Sequence, residues 1–336
     1  MNRRRIIIFF SLVVIIIASL VYVLKIANHY PEKADLVADS NYYGVTFSTK
    51  YVDYLGLDYK DLYKEILDDL KVKKIRIPIY WDDVEDVKGE YDFDKYDYLF
   101  DEGEKRGVDF IVVVGRRVPR WPECHTPSWI DDYDEEAVIL ATLNMTERVI
   151  NHFKHRSSVE YWQIENEAFL GSFGNCPPFN EELLREQFRL ARNIDNRELL
   201  ITFSGELRSW NKEAELGDLY GTTLYRVVHN KLLGFIRYPF SENFYTRKAK
   251  RANMSLDKIM VMELQAEPWA PKGDVTKLSK KEIDRSMSFE QFVANFQYAN
   301  KLNFSRVYAW GVEWWYYQKI NGDDSYWQFA GTLFEK

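Results

Sequence analysis

Short apolar segments alternate with amphipathic segments along most of this chain, and this alternation limits its possible folds more than any other feature. Seven segments with the composition of buried strands occupy 41–47, 73–79, 108–114, 198–203, 219–225, 258–263 and 306–310. An eighth, the fourth in chain order, begins at 159. Helical periodicity is present at 58–72, 93–105, 135–153, 180–194, 241–254, 288–302 and 326–334. Eight strands alternating with helices predict an α/β fold, a single (β/α)8 TIM barrel.

An open, doubly wound sheet is the structural alternative to the barrel. Such a sheet more often has a Gly-rich phosphate-binding turn after its first strand, and 44–47 is not such a turn. The chain has 336 residues, whereas a barrel takes about 250. The length therefore accommodates one barrel and an additional terminal segment.

The carboxyl ends of the predicted strands carry polar and aromatic residues, and in a barrel these ends lie on the face that holds catalytic groups. The residues at or just after these ends are Arg76, Arg116, Arg117, Asn166, Glu167, Glu206, Tyr225, Glu263, Trp310 and Glu313. Strands four and seven, which carry Glu167 and Glu263, lie across the barrel mouth from each other. Hydrolysis of a glycosidic bond with retention needs two carboxyl groups about 5–5.5 Å apart, and this pair is the candidate.

Three segments resemble the clan A glycoside hydrolases, which are barrel enzymes with an acid on strand four and a nucleophile on strand seven. They are Trp-Gln-Ile-Glu-Asn-Glu at 162–167, Ile-Met-Val-Met-Glu-Leu-Gln-Ala-Glu-Pro-Trp at 259–269 and Tyr-Ala-Trp-Gly-Val-Glu-Trp-Trp at 308–315. The resemblance covers about 42–335. The strand-seven segment is similar to families 42, 5 and 39 and does not distinguish among them.

The resemblance implies a role for each matching residue. Glu167 matches the acid/base, whose pKa must be raised if it is to hold a proton near neutral pH. Glu263 matches the nucleophile, which must remain ionised. Arg76 and Tyr225 match the residues that hydrogen-bond the nucleophile and keep it charged.

Three further residues are expected to contact the substrate. Asn166 matches the residue that holds the sugar 2-hydroxyl, a contact that strengthens in the transition state. Trp310 matches the tryptophan that forms the floor of the reacting-sugar subsite, with capping of the core as its alternative role. Glu313 can bind sugar hydroxyls, with packing as the alternative.

Three other glutamates lie near the same strand ends. Glu165 shares a side of its strand with Glu167, but the Asn-Glu match favours Glu167 as the acid. Glu267 competes with Glu263 as nucleophile, although its position beyond the strand favours a substrate-binding or loop-fixing role. Glu206 matches no role.

The loop at 115–129, rich in Pro, Trp and Arg, follows strand three and lies beside the predicted site. Trp121 and His125 are expected to line a subsite, although a lone histidine is more often a structural hydrogen-bonding group. Cys124 lies in this loop and Cys176 in the loop after strand four. A disulfide between them is expected if the domain lies outside the cytoplasm, and two free buried thiols are the alternative.

The N-terminus has the pattern of a membrane anchor. Residues 1–5 are basic, and 6–24 form an uncharged apolar run long enough to span a bilayer as a helix. An uncleaved signal-anchor is expected, with 1–5 in the cytoplasm, and a cleaved signal peptide is the alternative. A polar stalk at 25–40 would then lead to an extracytoplasmic catalytic domain at 41–336, in a single-pass membrane protein.

The composition limits the partners and cofactors. A net charge of -7 argues against a nucleic-acid partner, and the two cysteines are not in a metal-binding pattern. No metal or organic cofactor is implied. The expected function is a membrane-anchored retaining β-glycoside hydrolase acting on an oligo- or polysaccharide. A transglycosylase using the same two glutamates and a non-catalytic carbohydrate-binding barrel are the alternatives.

Overall fold

Eight parallel strands close into a barrel in a computed structural model that describes residues 4, 9–19, 36, 39–171 and 173–335. Strands 1 to 8 of the barrel are Tyr43–Thr46, Lys74–Pro78, Asp109–Val114, Val159–Ile164, Leu199–Phe203, Leu219–Leu224, Ile259–Gln265 and Arg306–Trp310. Each strand pairs in parallel with the next, and strand 8 pairs with strand 1. The predicted (β/α)8 barrel is confirmed.

The strands are apolar because a barrel strand is covered on both faces. Strand 3, for example, is buried at all positions after Asp109. The barrel interior holds a separate cluster of Ile111, Leu200, Leu219, Met260, Met262 and Tyr308. A packed interior of this kind leaves the carboxyl ends of the strands as the place for a site.

The helices surround the barrel. They are Thr49–Tyr54, Tyr59–Asp68, Trp81–Val84, Asp94–Glu104, Glu135–Phe153, Glu181–Ile194, Glu242–Arg251, Lys280–Met287, Phe289–Lys301, Val312–Ile320 and Ser325–Phe334. Several begin at a side-chain cap, as at Asp134 and Asn180, whose side chains accept backbone hydrogen bonds from the first turn. These caps set the helix starts where the sequence predicted them.

A two-stranded antiparallel hairpin follows strand 6 and was not predicted. Its strands, Val227–Asn230 and Gly234–Arg237, are mostly half-buried or exposed. Short 3-10 helices lie at Ser128–Ile130, Glu213–Glu215, Leu256–Lys258 and Val275–Lys277. The hairpin and these turns add to the loops around the barrel mouth.

The expected membrane anchor is only partly described. Residues 9–19 of the apolar run at 6–24 are helical, while the rest of that run, nearly all of 1–5 and most of the stalk at 25–40 lie outside the described residues. Within the described part of the chain, no helix has the length and apolar character needed to cross a bilayer.

Candidate active site

A cleft of about 710 Å³ opens at the carboxyl ends of the strands. Its lining includes Arg120, Glu123, Glu167, Tyr225, Glu263, Glu267 and Trp310. Both predicted catalytic glutamates therefore face one cavity, at the end of the barrel where the strand order predicted it.

Glu263 reaches the cleft through an irregularity in strand 7. Thr222 and Thr223 on strand 6 oppose Val261 and Glu263, so one extra residue of strand 7 lies between them. A bulge of this kind re-aims the side chains that follow it. It turns Glu263 toward the mouth directly after Met262, which packs in the barrel interior.

Three donors converge on the Glu263 carboxylate. Arg76 donates from Nη1 at 3.4 Å, Asn166 from Nδ2 at 3.2 Å and Tyr225 from its hydroxyl at 3.2 Å. Hydrogen bonds and a guanidinium stabilise a carboxylate in its charged form. The structure thus gathers Arg76, Asn166 and Tyr225 around the predicted nucleophile.

Arg76 is fully buried and held in one orientation. Its Nε donates to Gln163 at 2.8 Å, and its Nη2 donates to Asn166 Oδ1 at 2.7 Å. Because the guanidinium binds the Asn166 oxygen, the Asn166 amide nitrogen is turned toward Glu263. One buried arginine therefore both faces the nucleophile and orients its neighbour.

Glu167 lies in a different environment. Its backbone has φ of 45° and its N–H donates to Thr202 Oγ1 at 2.9 Å. The carboxyl Oε1 is buried and has no hydrogen-bond partner among the described residues. Burial, together with the negative charges of Glu263 and Glu123, raises the pKa of Glu167 well above its ordinary value. This is the environment required of a proton donor.

Glu165 has its oxygens fully engaged elsewhere. It accepts hydrogen bonds from the backbone N–H groups of Arg116 and Arg117 at 2.9 and 2.6 Å, and from Gln187 Nε2 at 2.8 Å. A Cβ on Gly115 would lie 2.5 Å from the Glu165 carboxyl group, so a larger residue does not fit there. Glu165 therefore anchors the loop after strand 3, and the geometry favours Glu167 as the acid.

A third carboxylate, Glu123, faces the same pair and was not singled out from the sequence. It is buried, its backbone has φ of 75°, and it accepts a hydrogen bond from Asn166 Nδ2 at 3.4 Å. Burial and the charge of Glu263 raise the pKa of Glu123 to about 7. The only sequence signal is its position before Cys124, since the loop path that brings it inward depends on tertiary contacts.

A disulfide joins Cys124 to Cys176, with their Cα atoms 5.3 Å apart. It links the loop after strand 3 to the loop after strand 4. Because Glu123 directly precedes Cys124, the bond fixes the backbone that carries this carboxylate beside Glu167.

Glu206, for which the sequence predicted no role, supports Tyr225. It accepts hydrogen bonds from the Tyr225 backbone N–H at 3.1 Å, from Tyr245 at 2.8 Å and from Thr223 Oγ1 at 3.1 Å. Burial raises the pKa of Glu206 to about 7. Its contact with the Tyr225 backbone helps to place the phenol that donates to Glu263.

Arg120 crosses the barrel mouth and forms a cluster with Tyr51, Trp310, Glu267 and Glu313, named here the Arg120 cluster. Its guanidinium carbon lies 3.6 Å from the ring centre of Tyr51 and 4.0 Å from that of Trp310. It donates to Glu267 at 2.5 Å and to Glu313 at 2.9 Å. Trp310 therefore lines the cleft with a buried guanidinium packed on its ring.

Glu313 and His125 lie behind the cleft surface. Glu313 is fully buried and also accepts a hydrogen bond from the Ser48 backbone at 2.6 Å, and burial raises its pKa to about 7. His125 packs on the Tyr80 ring at 4.5 Å, and its Nε2 lies 3.0 Å from the Arg120 carbonyl oxygen. Burial lowers the pKa of His125. Both contacts are those of structural groups, which was the alternative for each residue.

Trp121 does line the cleft, and 68% of its surface is exposed. It lies on the same loop as Arg120 and Glu123, at the outer edge of the mouth. No group of three or more His, Cys, Asp or Glu residues in the described part of the chain is arranged to hold a metal ion.

Several solved barrel enzymes are structurally similar to this chain. Xylanase 10B from Thermotoga petrophila RKU-1 matches with a TM-score of 0.55 and 15% identity over 81% of this chain and 83% of its own. A family 10 endo-β-1,4-xylanase from Gloeophyllum trabeum matches with a TM-score of 0.54 and 16% identity over 81% and 85%.

A third similar structure is a GH5_18 protein from Streptomyces cattleya in complex with Manβ1-4GlcNAc. It has a TM-score of 0.52 and 11% identity over 80% of this chain and 70% of its own. No protein-family model and no curated protein sequence matches the chain. The structural likeness shows that the chain has the barrel fold of the clan A glycoside hydrolases, as the sequence resemblance predicted.

Proposed function

We propose that the protein is a retaining β-glycoside hydrolase that acts on an oligo- or polysaccharide. Glu167 protonates the glycosidic oxygen while Glu263 attacks the anomeric carbon and forms a covalent glycosyl-enzyme. Glu167 then removes a proton from water, which attacks the same carbon and releases the sugar. The fold likeness to xylanases supports a carbohydrate substrate by analogy alone.

The observation that carries this proposal is the contrast between two glutamates in one cleft. Glu263 accepts hydrogen bonds from Arg76, Asn166 and Tyr225. Glu167 is buried with one oxygen unpartnered among the described residues and has a raised pKa. Two carboxyl groups whose environments differ in this way can serve as nucleophile and acid at the same pH.

The stereochemistry of the first product tests the proposal. The anomer released from an aryl β-glycoside can be followed by NMR before mutarotation. Retention is expected, because two displacements at the anomeric carbon restore its configuration. Inversion would contradict the assignment of Glu263 as nucleophile.

We also propose that the chain is anchored in a membrane by the apolar run at 6–24, with the barrel outside the cytoplasm. The basic residues at 1–5 and the uncharged run support this proposal. The Cys124–Cys176 disulfide is the kind of bond that persists in an oxidising compartment.

Fractionation and surface labelling test the anchor. The full chain should sediment with membranes, resist extraction by carbonate and be cut by protease added outside the cell. A chain beginning at residue 39 should be released from membranes. Full-length protein in the soluble fraction would contradict the anchor but leave the proposed chemistry intact.

A further inference from the structure

The positions of the two glutamates orient the cleft. Glu167 protonates the oxygen that departs with the leaving group. The leaving group therefore lies beside Glu167, at strands 4 and 5. The barrel order places strands 8 and 1 opposite strands 4 and 5. The sugar that is attacked by Glu263 therefore extends toward strands 8 and 1.

The strand 8 and strand 1 end of the cleft is closed by the Arg120 cluster. Arg120 comes from the loop after strand 3 and reaches Glu267 after strand 7, Trp310 on strand 8 and Tyr51 after strand 1. Only 6% of its surface is exposed. A second sugar on this side would have to displace a buried guanidinium that is paired with two carboxylates.

A second contact closes the same end farther out. The Tyr54 hydroxyl donates to the Gly273 carbonyl at 3.0 Å and lies 3.1 Å from Asp274 Oδ1. This bridge ties the helix after strand 1 to the loop after strand 7. The Tyr51 and Tyr54 rings stack with centres 5.7 Å apart and planes 6° apart, so the cluster and the bridge form one wall.

The wall also carries polar atoms with no partner. Arg120 Nε and Glu267 Oε2 are buried and have no hydrogen-bond partner among the described residues, and both residues line the cleft. Leaving such atoms unpaired costs free energy. A sugar hydroxyl is both donor and acceptor, so it can donate to the carboxylate oxygen or accept from the guanidinium.

The opposite end of the cleft is open and apolar. Trp121, Phe173 and Leu207 all line it and are exposed to 68%, 39% and 61%. The Trp121 and Phe173 ring centres lie 6.1 Å apart. Aromatic rings at an open edge can pack on the faces of successive sugars in a leaving group of any length.

Given the hydrolase activity proposed above, we infer that the enzyme is exo-acting and removes one sugar at a time from the non-reducing end of a β-linked chain. The Arg120 cluster binds a hydroxyl that is free only on a terminal sugar, because in an internal sugar that oxygen carries the next glycosidic bond. A site built to pair with a hydroxyl rejects a substrate that lacks it by about 10⁴-fold.

Product analysis tests this inference on the unmodified protein. A panel of β-linked xylose, glucose, galactose and mannose tetrasaccharides, labelled at the reducing end, is sampled early in the reaction. Labelled trisaccharide and free monosaccharide should be the first products. Labelled mono- or disaccharide in the earliest samples would overturn the inference while supporting the proposed hydrolase activity.

A pair of nitrophenyl glycosides separates the exo-acting inference from the proposed hydrolase activity in a second way. The monosaccharide derivative should release nitrophenol at once, and the β-linked disaccharide derivative only after a lag. Immediate release of an intact disaccharide would overturn the inference alone. Failure to hydrolyse every glycoside would overturn the proposed function and the inference with it.

Variants of two arginines in one loop locate the effect. Arg120→Ala should lower kcat/KM for the monosaccharide derivative by about 100-fold and allow release of intact disaccharide. Arg116→Ala is the matched control, because Arg116 lines a separate cavity of about 270 Å³ behind the loop; its product pattern should be unchanged. If Arg120→Ala releases no more intact disaccharide than wild type, the role of Arg120 is contradicted. If this variant does not fold, the tetrasaccharide products of the wild-type enzyme still test the inference.

Discussion

The proposed catalytic pair, Glu167 and Glu263, and the Arg120 cluster use buried glutamates of one cleft in different ways. In the cluster, Glu267 and Glu313 share the charge of one guanidinium. In the pair, Glu167 faces a second carboxylate and keeps an unpartnered oxygen among the described residues. Two carboxylates paired with one guanidinium hold the wall together, whereas the carboxyl group of Glu167, buried beside a second carboxylate, keeps its proton. The two regions should therefore respond differently to substitution.

The largest effect is expected at the nucleophile. Glu263→Ala should lower kcat by at least about 10⁴-fold, because the carboxylate proposed to form the covalent intermediate is then missing. Sodium azide should restore part of the turnover by yielding a glycosyl azide. Steady-state kinetics and NMR of the product check this. The free energy of unfolding should fall as well, because Arg76 is left buried without its carboxylate partner. Near-wild-type turnover by folded Glu263→Ala in the absence of azide would contradict the assignment.

The next effect should depend on the leaving group. Glu167→Gln should lower kcat by about 10³-fold for an unactivated disaccharide, within the range for general acid catalysis. For a dinitrophenyl glycoside, which needs no proton on departure, the loss in the first step should be far smaller. Burst kinetics with the two substrates measure the difference. Equal losses on both would contradict the role of Glu167 as the acid.

At Glu313, the member of the Arg120 cluster that lies behind the cleft surface, stability should change more than chemistry. Glu313→Ala leaves Arg120 buried with one carboxylate and removes the acceptor of the Ser48 N–H, which should destabilise the fold by about 3 kcal/mol. Urea unfolding measures this. Glu182→Ala, which breaks an exposed pair with Arg189, is the control and should leave the midpoint nearly unchanged. Equal urea midpoints for Glu313→Ala and Glu182→Ala would contradict a stabilising role for the buried ion pair of Glu313.

The disulfide should contribute somewhat less to stability. It closes a loop of 52 residues, and replacing both Cys124 and Cys176 by Ser should cost about 2 kcal/mol or more, mainly by releasing the unfolded chain. Thermal unfolding with and without reductant measures the change. Wild type in reductant should shift toward the double variant, while the variant itself should not respond. Equal stability of the oxidised wild type and the double variant would contradict a structural role for the bond.

The smallest expected effect is a shift of the pH profile. The negative charge of Glu123 raises the pKa of Glu167, so Glu123→Gln should lower that pKa. The alkaline limb of kcat/KM, where Glu167 loses its proton, should move to lower pH by up to about one unit. The shift requires ionised Glu123, whose own pKa is about 7. In the surface control Glu102→Gln, the alkaline limb should stay where it is. Movement of this limb to higher pH in Glu123→Gln would contradict the coupling between Glu123 and Glu167.

Much of the barrel could be predicted from local patterns. The helix at Glu135–Phe153 and the strand at Arg306–Trp310 have the predicted bounds, because periodicity and caps act within a few residues. Strand 7 was predicted to end at Glu263 but continues to Gln265. The bulge allows Leu264 and Gln265 to keep pairing with strand 8, and a bulge has no distinct sequence pattern here.

The site was predicted in its strand-borne part and only in part in its loops, where the Cys124–Cys176 disulfide and Trp121 at the cleft were expected and Glu123 and Arg120 were not. The sequence placed Glu167, Glu263, Arg76 and Tyr225 at strand ends. The structure has Glu167 and Tyr225 shortly after strands 4 and 6, and Arg76 and Glu263 within strands 2 and 7. For Glu313 the sequence allowed either a sugar contact or packing, and the structure places this residue in a buried ion pair with Arg120. The loop at 115–129 turns through positive φ at two residues other than glycine, Arg120 and Glu123, and neither residue type marks such a turn.

The sequence by itself determined the barrel and the strands that supply Glu167 and Glu263, because the alternation of strands and helices follows from local hydrophobic pattern. Only the tertiary structure decided which glutamates are compensated. Arg120 lies 147 residues before Glu267 and 193 before Glu313 in the chain, so their pairing depends on how the loops fold over the mouth. Whether a carboxylate keeps its proton depends on burial and on its neighbours in space, and these are set after the strands have closed.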